Sequence, residues 1–516
     1  MRTIFFCILL AISGVAGADS AFTFSNVPGP YPVGIRVVQQ YDYSRSYTGK
    51  FDIVSGKPAT GERATGERAR PIQTLVWYPA QRGGRAMSYG DYADTSATEE
   101  EFEKTNPNVI GKLRAIHAGT GNRFAPALKA VLNQPMWAVR DAAALPGKFP
   151  LVIYAPSFSA RAYENADLCE YLASQGYVVI ASADMGASSR AMTGDLEGVE
   201  AQAGDIEFLI GYARTLPQVD FDHIAVVGYS WGGLSNLAAA AKDNRISALV
   251  SLDGTVRYDN ETVKAINYLT PAKISIPYLF VASRPDTLEQ LNYDKKFIDI
   301  SSNFLNELNY SDVYIVSMNA MVHTDFSSYF LRVVPEESFR DGYTRQEAAI
   351  AHSWVARYVH QFLDAYLKNN SAALAFLNND PVKNQVPAHL MRIDARKAKG
   401  MAPTLENIGA ELARRGFDHA GDVIHDLHLN EPKLKPDEDL LNNWGNQVLQ
   451  NQDSSRSIQI FKFALLLYPD SSDLYDGLGN AYQVGNDKSL AIQSYRRSLA
   501  LNPQNENAAL QLLESK

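Results

Sequence analysis

The sequence predicts an α/β domain, with a mostly parallel sheet flanked by helices, followed by an all-α helical-repeat domain. Two observations lead to this prediction. Near-continuous apolar runs, from FPLVIYAP to DVYIVSMN, alternate with segments of helical period such as QAGDIEFLIGYARTL. Such alternation is typical of a sheet covered by helices on both faces. The C-terminal part instead repeats several position types at a fixed interval.

The chain has 516 residues, which is more than one hydrophobic core usually organises, so several domains are expected. We predict a signal peptide over residues 1–18, an α/β domain over residues 19–380, a linker over residues 381–403 and helical repeats over residues 404–516. Residues 96–145 have helical and irregular patterns. They predict a helical insertion, which forms either a lid over a pocket or a simple packing element.

The N-terminus has the pattern of a secretory signal peptide. Arg2 precedes a short apolar run, and small residues end the segment at Ala18. The run is too short to cross a bilayer as a helix, and no other segment is long and apolar enough to do so. We therefore expect a secreted or periplasmic protein whose mature chain has no transmembrane segment.

Composition excludes several classes of partner and cofactor. The formal net charge of −9 argues against nucleic acid, which requires a basic surface. Cys7 lies in the predicted signal peptide, so Cys169 has no partner for an intrachain disulfide in the mature chain. The amphipathic stretch around Cys169 indicates a buried structural thiol. Histidines are scattered without a metal-ligand spacing, and we expect neither metal nor cofactor.

The segment GYSWG, residues 228–232, gives the strongest indication of a catalytic residue in the sequence. It follows the apolar strand HIAVV and precedes an alanine-rich helix. This is the setting of the nucleophile elbow of the α/β-hydrolase fold, in which a serine lies on a sharp turn between strand and helix. The flanking glycines remove Cβ atoms where strand and helix pack tightly. The pattern therefore predicts Ser230 as a nucleophile in an α/β-hydrolase fold.

A serine hydroxyl needs a base to accept its proton, and in this fold the partners follow in the order serine, acid, histidine. His323 lies in the loop after the strand VYIVSMN and is the predicted base. His352 and His360 lie two helical turns apart, and we expect them to pack against the sheet. Asp253 and Asp286 each follow a predicted strand at the carboxyl edge of the sheet, and either could orient the imidazole.

Two backbone N–H groups are expected to bind the oxyanion of an acyl-transfer reaction. One belongs to the residue after the nucleophile, Trp231, and the other to the loop after an earlier strand. The loop YAPSFSARA follows the strand FPLVI, which makes Ser157 or Phe158 the second donor.

Residues 31–335 resemble the platelet-activating-factor acetylhydrolases and the dienelactone-hydrolase-like esterases. The resemblance rests on PVGIRV, YDYSR, VWYPA, VIYAPSF, LASQGYVVIASAD, VGYSWGG, SLDG and VHTDF. It implies the nucleophile and base named above, favours Asp253 over Asp286 as the acid, and implies Phe158 and Trp231 as the oxyanion donors. Acetylhydrolases of this group usually have His-Gly-aliphatic where residues 156–158 read Pro-Ser-Phe, which leaves the shape of the acyl pocket open.

The C-terminal part repeats with a period of 34 residues. The recurring pairs are Gly445 and Gly479, Ile458 and Ile492, Phe461 and Tyr495, and Pro469 and Pro503. This period, with a small residue early and a closing proline, is the tetratricopeptide signature. Residues 404–516 resemble that family, and GFDHAGDVIHDLHLNEP resembles half of a degenerate third copy. We expect this part to pack on the α/β domain, to bind a protein partner or to self-associate.

These observations predict an exported serine hydrolase that cleaves small-molecule or lipid carboxylic esters through an acyl-serine intermediate. Two alternatives remain open. The same triad could serve a serine peptidase or an acyltransferase. The hydrolase fold could also be inert, with the helical repeats acting as an adaptor for a partner chain.

Overall fold

The structure is a computed structural model. It describes residues 22–48, 51–52, 57–58, 68–100, 102, 131–271, 274–284, 304–334, 336, 339, 343–400, 402, 404–428 and 435–514. The predicted signal peptide, residues 1–18, and Asp286 lie outside these described residues.

The chain divides into two compact units. The sheet unit comprises Met1–Asn267, Pro277–Asn303 and Tyr314–Ala395. The helical unit comprises Tyr268–Ile276, Phe304–Val313 and Arg396–Lys516. Two short segments of the predicted α/β region, Tyr268–Ile276 and Phe304–Val313, therefore belong to the helical unit. The local sequence pattern did not predict this assignment.

Thirteen strands are present in the described part of the chain. They are β1 Val33–Tyr47, β2 Phe51–Asp52, β3 Lys57–Pro58, β4 Arg68–Pro79, β5 Ala86–Ser88, β6 Pro135–Arg140, β7 Phe149–Ala155, β8 Val178–Ser182, β9 Val219–Tyr229, β10 Ile246–Leu252, β11 Tyr278–Ala282, β12 Val313–Met318 and β13 Met391–Arg396. Strands β2 and β3 pair with each other, and the other eleven form one sheet in the order β13-β12-β11-β10-β9-β7-β8-β4-β1-β6-β5.

The centre of the sheet is parallel. Strands β8, β7, β9, β10 and β11 run parallel to one another, whereas β4 runs antiparallel to both β8 and β1. Parallel strands deliver their carboxyl ends to one edge, where active sites gather in open α/β sheets. The residues of β7, β8 and β11 are all buried, as expected for strands covered on both faces.

Helices flank this sheet. The helices of the sheet unit are α1 Tyr89–Ala93, α2 Ala166–Ser174, α3 Leu196–Ala213, α4 Gly232–Lys242, α5 Asn260–Ala265, α7 Ser328–Val333, α8 Arg345–Leu367 and α9 Ser371–Asn378, whereas α6 Phe304–Glu307 belongs to the helical unit. Helices α3 and α4 pack on each other and on β7, and α8 packs on β9, β10 and β11. None of the described helices is both long and apolar enough to cross a membrane.

Two predicted boundaries are wrong. Residues 135–140, placed in a helical insertion, form strand β6, which pairs in parallel with β1. Met136 and Ala138 are buried and alternate with more exposed neighbours, which is the period of a strand. The predicted linker, residues 381–403, contains the edge strand β13. Residues 103–130, most of the predicted insertion, lie outside the described residues.

The helical unit has a core of its own. Its remaining helices are α10 Leu405–Arg415, α11 Ala420–His428, α12 Glu438–Gln450, α13 Ser454–Leu467, α14 Ser472–Val484, α15 Lys488–Leu501 and α16 Glu506–Glu514. Successive helices from α12 to α16 pack on one another. A Cβ atom at Gly445 would lie 2.6 Å from the Phe461 ring, and one at Gly479 would lie 2.5 Å from the Tyr495 ring. The same glycine-to-ring contact thus recurs after 34 residues.

Candidate active site

Ser230 lies on a strained turn between β9 and α4. Its φ angle is +53°, in the left-handed region that side chains other than glycine rarely adopt. The Ser230 N–H donates to the Leu252 carbonyl of the neighbouring strand at 3.0 Å, which fixes the turn to the sheet. Cβ atoms at Gly228 and Gly232 would lie 2.1 Å and 2.2 Å from backbone carbonyl oxygens. Both glycines are therefore required by close backbone approach.

His323 reaches this serine from the loop after β12. Its Nε2 lies 2.9 Å from Ser230 Oγ. A turn of 3₁₀-helix, His323–Phe326, begins at this residue, and the Tyr229 hydroxyl donates to the His323 carbonyl at 2.8 Å. The His323 side chain is 47 % exposed, so the Ser230–His323 pair is open to a substrate from solvent.

Asp253 completes the hydrogen-bonded chain from the end of β10. Its Oδ2 lies 2.7 Å from His323 Nδ1, and its carboxylate is buried. Burial alone would raise the pKa of Asp253. The hydrogen bond and positive charge of His323, with hydrogen bonds from Ser283 and Tyr258, outweigh burial and hold this pKa below its ordinary value. Asp253 is therefore ionised where it can orient and stabilise an imidazolium.

The structure thus brings together Ser230, His323 and Asp253 in the order that the fold requires. The other two histidines lie elsewhere, buried on α8: His352 pairs with the Asp325 carbonyl, and His360 lies 3.2 Å from Asp364. The Cys169 thiol is also buried, and burial raises its pKa well above the ordinary value, as expected for an inert structural thiol.

The loop after β7 adjoins the elbow. Strand β7 is the parallel neighbour of β9, with Ala155 beside Gly228. The rings of Phe158 and Trp231 meet edge to face at a centroid distance of 5.7 Å. Within the described residues, the backbone N–H groups of Phe158 and Trp231 make no hydrogen bond. Both N–H groups predicted to bind an oxyanion are therefore available to a ligand.

A cavity of about 250 Å³ opens beside this loop. Its walls combine four aromatic residues with small residues and two charged ones, and they are formed by Ser157, Phe158, Ser159, Ala160, Arg161, Tyr163, Glu164, Tyr329 and Phe330. Arg161 forms an ion pair with Glu99. Aromatic side chains together with a small number of polar groups are typical of the walls of a small-molecule site.

Comparison with known proteins agrees with this geometry. Residues 139–297 match the model of the dienelactone hydrolase family. This match covers β7 to β11, the elbow and Asp253. The sheet unit has the α/β-hydrolase fold. The predicted fold class is confirmed, and the family match supports hydrolase chemistry in this α/β-hydrolase domain.

Two individual proteins are also similar. A stretch of 65 residues is 38% identical to the quorum-quenching protein AidA of Acinetobacter baumannii (strain MDR-ZJ06), and it covers 11% of this chain and 21% of that protein. The chain therefore spans about a fifth of that relative. A ferulic acid esterase structure from Streptomyces cinnamoneus is 18% identical with a TM-score of 0.47, and the similarity covers 72% of this chain and 99% of that one.

Several residues of the α/β-hydrolase site were missed by sequence reasoning. Tyr258 and Ser283 hold the Asp253 carboxylate, and Glu164 and Asp184 contact the loop after β7. Asp184 follows the strand VVIAS by two residues, close to the kind of position that made Asp253 a candidate, so this signal was present in the sequence. The contacts of Tyr258, Ser283 and Glu164 depend on the folded paths of the loops after β10, β11 and β7, which no local pattern encodes.

Proposed function

We propose that this protein is an exported serine hydrolase that cleaves carboxylic esters through an acyl-serine intermediate. The observation that carries the proposal is the hydrogen-bonded chain from Ser230 through His323 to a buried Asp253. A hydroxyl group on a strained turn, paired with an imidazole that a carboxylate orients, is the arrangement of an activated nucleophile.

The reaction has two halves. As Ser230 Oγ attacks the ester carbonyl carbon, His323 Nε2 accepts the hydroxyl proton and then delivers it to the leaving alcohol. The C–O bond to the alcohol breaks and leaves an acyl-serine. Water then gives a proton to His323 and attacks the acyl carbon, and the carboxylic acid leaves as Ser230 regains its proton.

Charge develops on the carbonyl oxygen in both halves. The free N–H groups of Trp231 and Phe158 are the proposed donors to this oxyanion. Asp253 stays ionised throughout, because its low pKa opposes uptake of the imidazole proton. The described residues thereby supply a nucleophile, a base, an orienting acid and an oxyanion site, and the reaction requires no cofactor.

We further propose that helices α12 to α15 are two tetratricopeptide repeats. The recurring contacts of Gly445 with Phe461 and of Gly479 with Tyr495 support this assignment, since equivalent residues of a repeat occupy equivalent positions. Such repeats present a surface to a partner chain or to a second copy. Export is proposed from the signal-peptide pattern of residues 1–18.

The test is hydrolysis of p-nitrophenyl esters of increasing chain length by the wild type and by Ser230→Ala. We expect turnover by the wild type and a fall of several orders of magnitude in kcat for the variant. Matched p-nitroanilides separate an esterase from a peptidase, and added alcohol acceptors reveal acyl transfer. A wild type that hydrolyses none of these substrates would favour an inert adaptor.

A further inference from the structure

The loop of residues 156–160, called the oxyanion loop below, is anchored on one side by a buried glutamate. The Ser157 N–H donates to Glu164 Oε2 at 2.9 Å, and the Ser157 hydroxyl donates to Glu164 Oε1 at 2.5 Å. The Tyr154 hydroxyl, on β7, makes a longer contact of 3.4 Å with the same carboxyl group. Glu164 is only 4% exposed, so its carboxyl group is fixed by protein contacts rather than by solvent.

A second buried carboxyl group anchors the other side of the loop. The Ser159 N–H donates to Asp184 Oδ2 at 2.8 Å, and Asp184 is 1% exposed at the carboxyl end of β8. The Arg190 guanidinium donates to the Ser159 carbonyl at 3.1 Å. Ser159 has a φ angle of +58°, a conformation that costs energy in a residue with a side chain and persists only when its surroundings impose it.

Phe158 lies between these two anchors. The N–H groups of Ser157 and Ser159 both donate hydrogen bonds to carboxyl groups, whereas the N–H of Phe158 makes no hydrogen bond within the described residues. The two anchors therefore fix the peptide planes on either side of the one free donor. A preorganised donor stabilises an oxyanion because it needs no reorientation during the reaction.

We propose that Glu164 and Asp184 are positioning residues that hold the Phe158 N–H in place for the oxyanion of the ester-hydrolysing reaction. This inference rests on the proposed function and extends it to two carboxyl groups outside the triad. Neither group touches the reacting atoms in this arrangement. Each acts through the backbone of the oxyanion loop.

Burial reduces the negative charge that these two carboxyl groups place near an oxyanion, because it disfavours their ionised forms. Burial raises the pKa of Glu164 to about 7, against the lowering effect of its hydrogen bonds from Ser157. Burial likewise raises the pKa of Asp184 well above its ordinary value. A neutral carboxyl group still accepts an N–H through its carbonyl oxygen, so it can anchor the loop without adding negative charge.

Glu170 offers a matched control. It is also a buried glutamate, and burial raises its pKa to about 7 as well. Its carboxyl group accepts hydrogen bonds from the Trp137 and Ala138 N–H groups on β6 and from the Tyr92 hydroxyl, away from the oxyanion loop. Removal of Glu170 therefore reports the cost of losing a buried carboxyl group without touching the loop.

The experiment compares Glu164→Ala, Glu164→Gln and Glu170→Ala in the full chain. It measures kcat and KM for p-nitrophenyl acetate, the inhibition constant of an alkyl trifluoromethyl ketone, which forms an oxyanion on serine, and thermal unfolding. We expect Glu164→Ala to lower kcat on the order of 10²-fold and to weaken binding of the ketone by a similar factor, with KM little changed. Glu164→Gln should recover most of the loss, since its amide oxygen still accepts the Ser157 N–H.

Glu170→Ala should lower the unfolding temperature and leave kcat and ketone affinity near those of the wild type. If Glu164→Ala matches Glu170→Ala in kcat and ketone affinity, the positioning role is overturned. Ser157→Ala removes only the hydroxyl contact and serves if Glu164→Ala does not fold. Ser157→Ala should lower kcat and weaken binding of the ketone by similar factors. If kcat and the inhibition constant of the ketone both stay unchanged, the proposal is also overturned. A wild type without ester turnover would contradict the proposed function instead.

Discussion

The hydroxyl group of Tyr258 donates a hydrogen bond of 2.6 Å to Oδ1 of Asp253. The Ser283 N–H donates to the same oxygen at 2.9 Å. Both contacts leave the other oxygen, Oδ2, for Nδ1 of His323 at 2.7 Å. The Asp253 backbone has a φ angle of +45°, so tertiary contacts hold both its main chain and its carboxylate in place. This arrangement sets the tautomer of the imidazole that faces Ser230.

We expect Tyr258→Phe to lower kcat for ester hydrolysis about 10-fold and to leave KM nearly unchanged. The substitution keeps the ring and removes one hydrogen bond to an ionised carboxylate, a contact worth about 1.5–3 kcal/mol. Steady-state kinetics with a p-nitrophenyl ester measure both constants. A rise in KM at constant kcat would instead show that Tyr258 contacts the substrate.

Asp253→Asn should reduce kcat by about 10⁴-fold, the effect of the equivalent change in the serine-protease triad. The amide nitrogen of asparagine favours the wrong tautomer of His323, whose Nδ1 lies 2.7 Å from Asp253. Asp286→Asn is the comparison variant, and its kcat should stay close to that of the wild type. The opposite result would assign the acid role to Asp286.

Gly232→Ala should abolish reaction of Ser230 with a fluorophosphonate. A Cβ atom there would lie 2.2 Å from the Ala155 carbonyl oxygen, so the elbow and the neighbouring loop must separate. The control is Gly211→Ala on α3, where no described atom outside its chain neighbours and its own helix backbone lies within 4 Å of the new Cβ. That variant should label like the wild type and be slightly more stable, because alanine favours a helix. Equal labelling of both would contradict the close packing at Gly232.

His352→Gln should make the free energy of unfolding less dependent on pH below neutral pH. Burial lowers the pKa of His352 to about 4, below the value near 6.5 of an unfolded chain. The unfolded state therefore binds more protons between these values, and the folded state loses stability as pH falls from 6.5 towards 4. Between pH 7.5 and pH 5 the wild type should lose about 2 kcal/mol more than the variant, measured by urea unfolding. If the free energy of unfolding falls equally with pH in the wild type and the variant, the pKa of His352 is not lowered by folding.

The sequence predicted the parts of the fold that depend on local pattern. The apolar runs before Pro156, Ser230 and Asp253 form buried strands, because strands covered on both faces carry no polar alternation. The elbow was visible because its two close backbone contacts demand glycine at fixed positions around one serine.

The parts that sequence reasoning missed depend on distant contacts. The residues of strand β6 were predicted to lie in a helical insertion, because PMWAV continues a helical pattern of apolar residues. Only the pairing of β6 with β1 identifies a strand. Strand ends give the same signal at Asp253 and Asp286, so local pattern left the choice of acid open and only the family resemblance favoured Asp253. Glu164 and Asp184 converge on the oxyanion loop only after folding, when Glu164 contacts Ser157 and Asp184 contacts Ser159.

The location of a covalent adduct shows whether Ser230 is the nucleophile. The full chain is treated with an alkyl fluorophosphonate, digested and analysed by peptide mass spectrometry. We expect one modified residue, Ser230, and no adduct in Ser230→Ala or in His323→Ala, whose base is missing. An adduct on another residue, or equal modification of wild type and Ser230→Ala, would contradict this expectation.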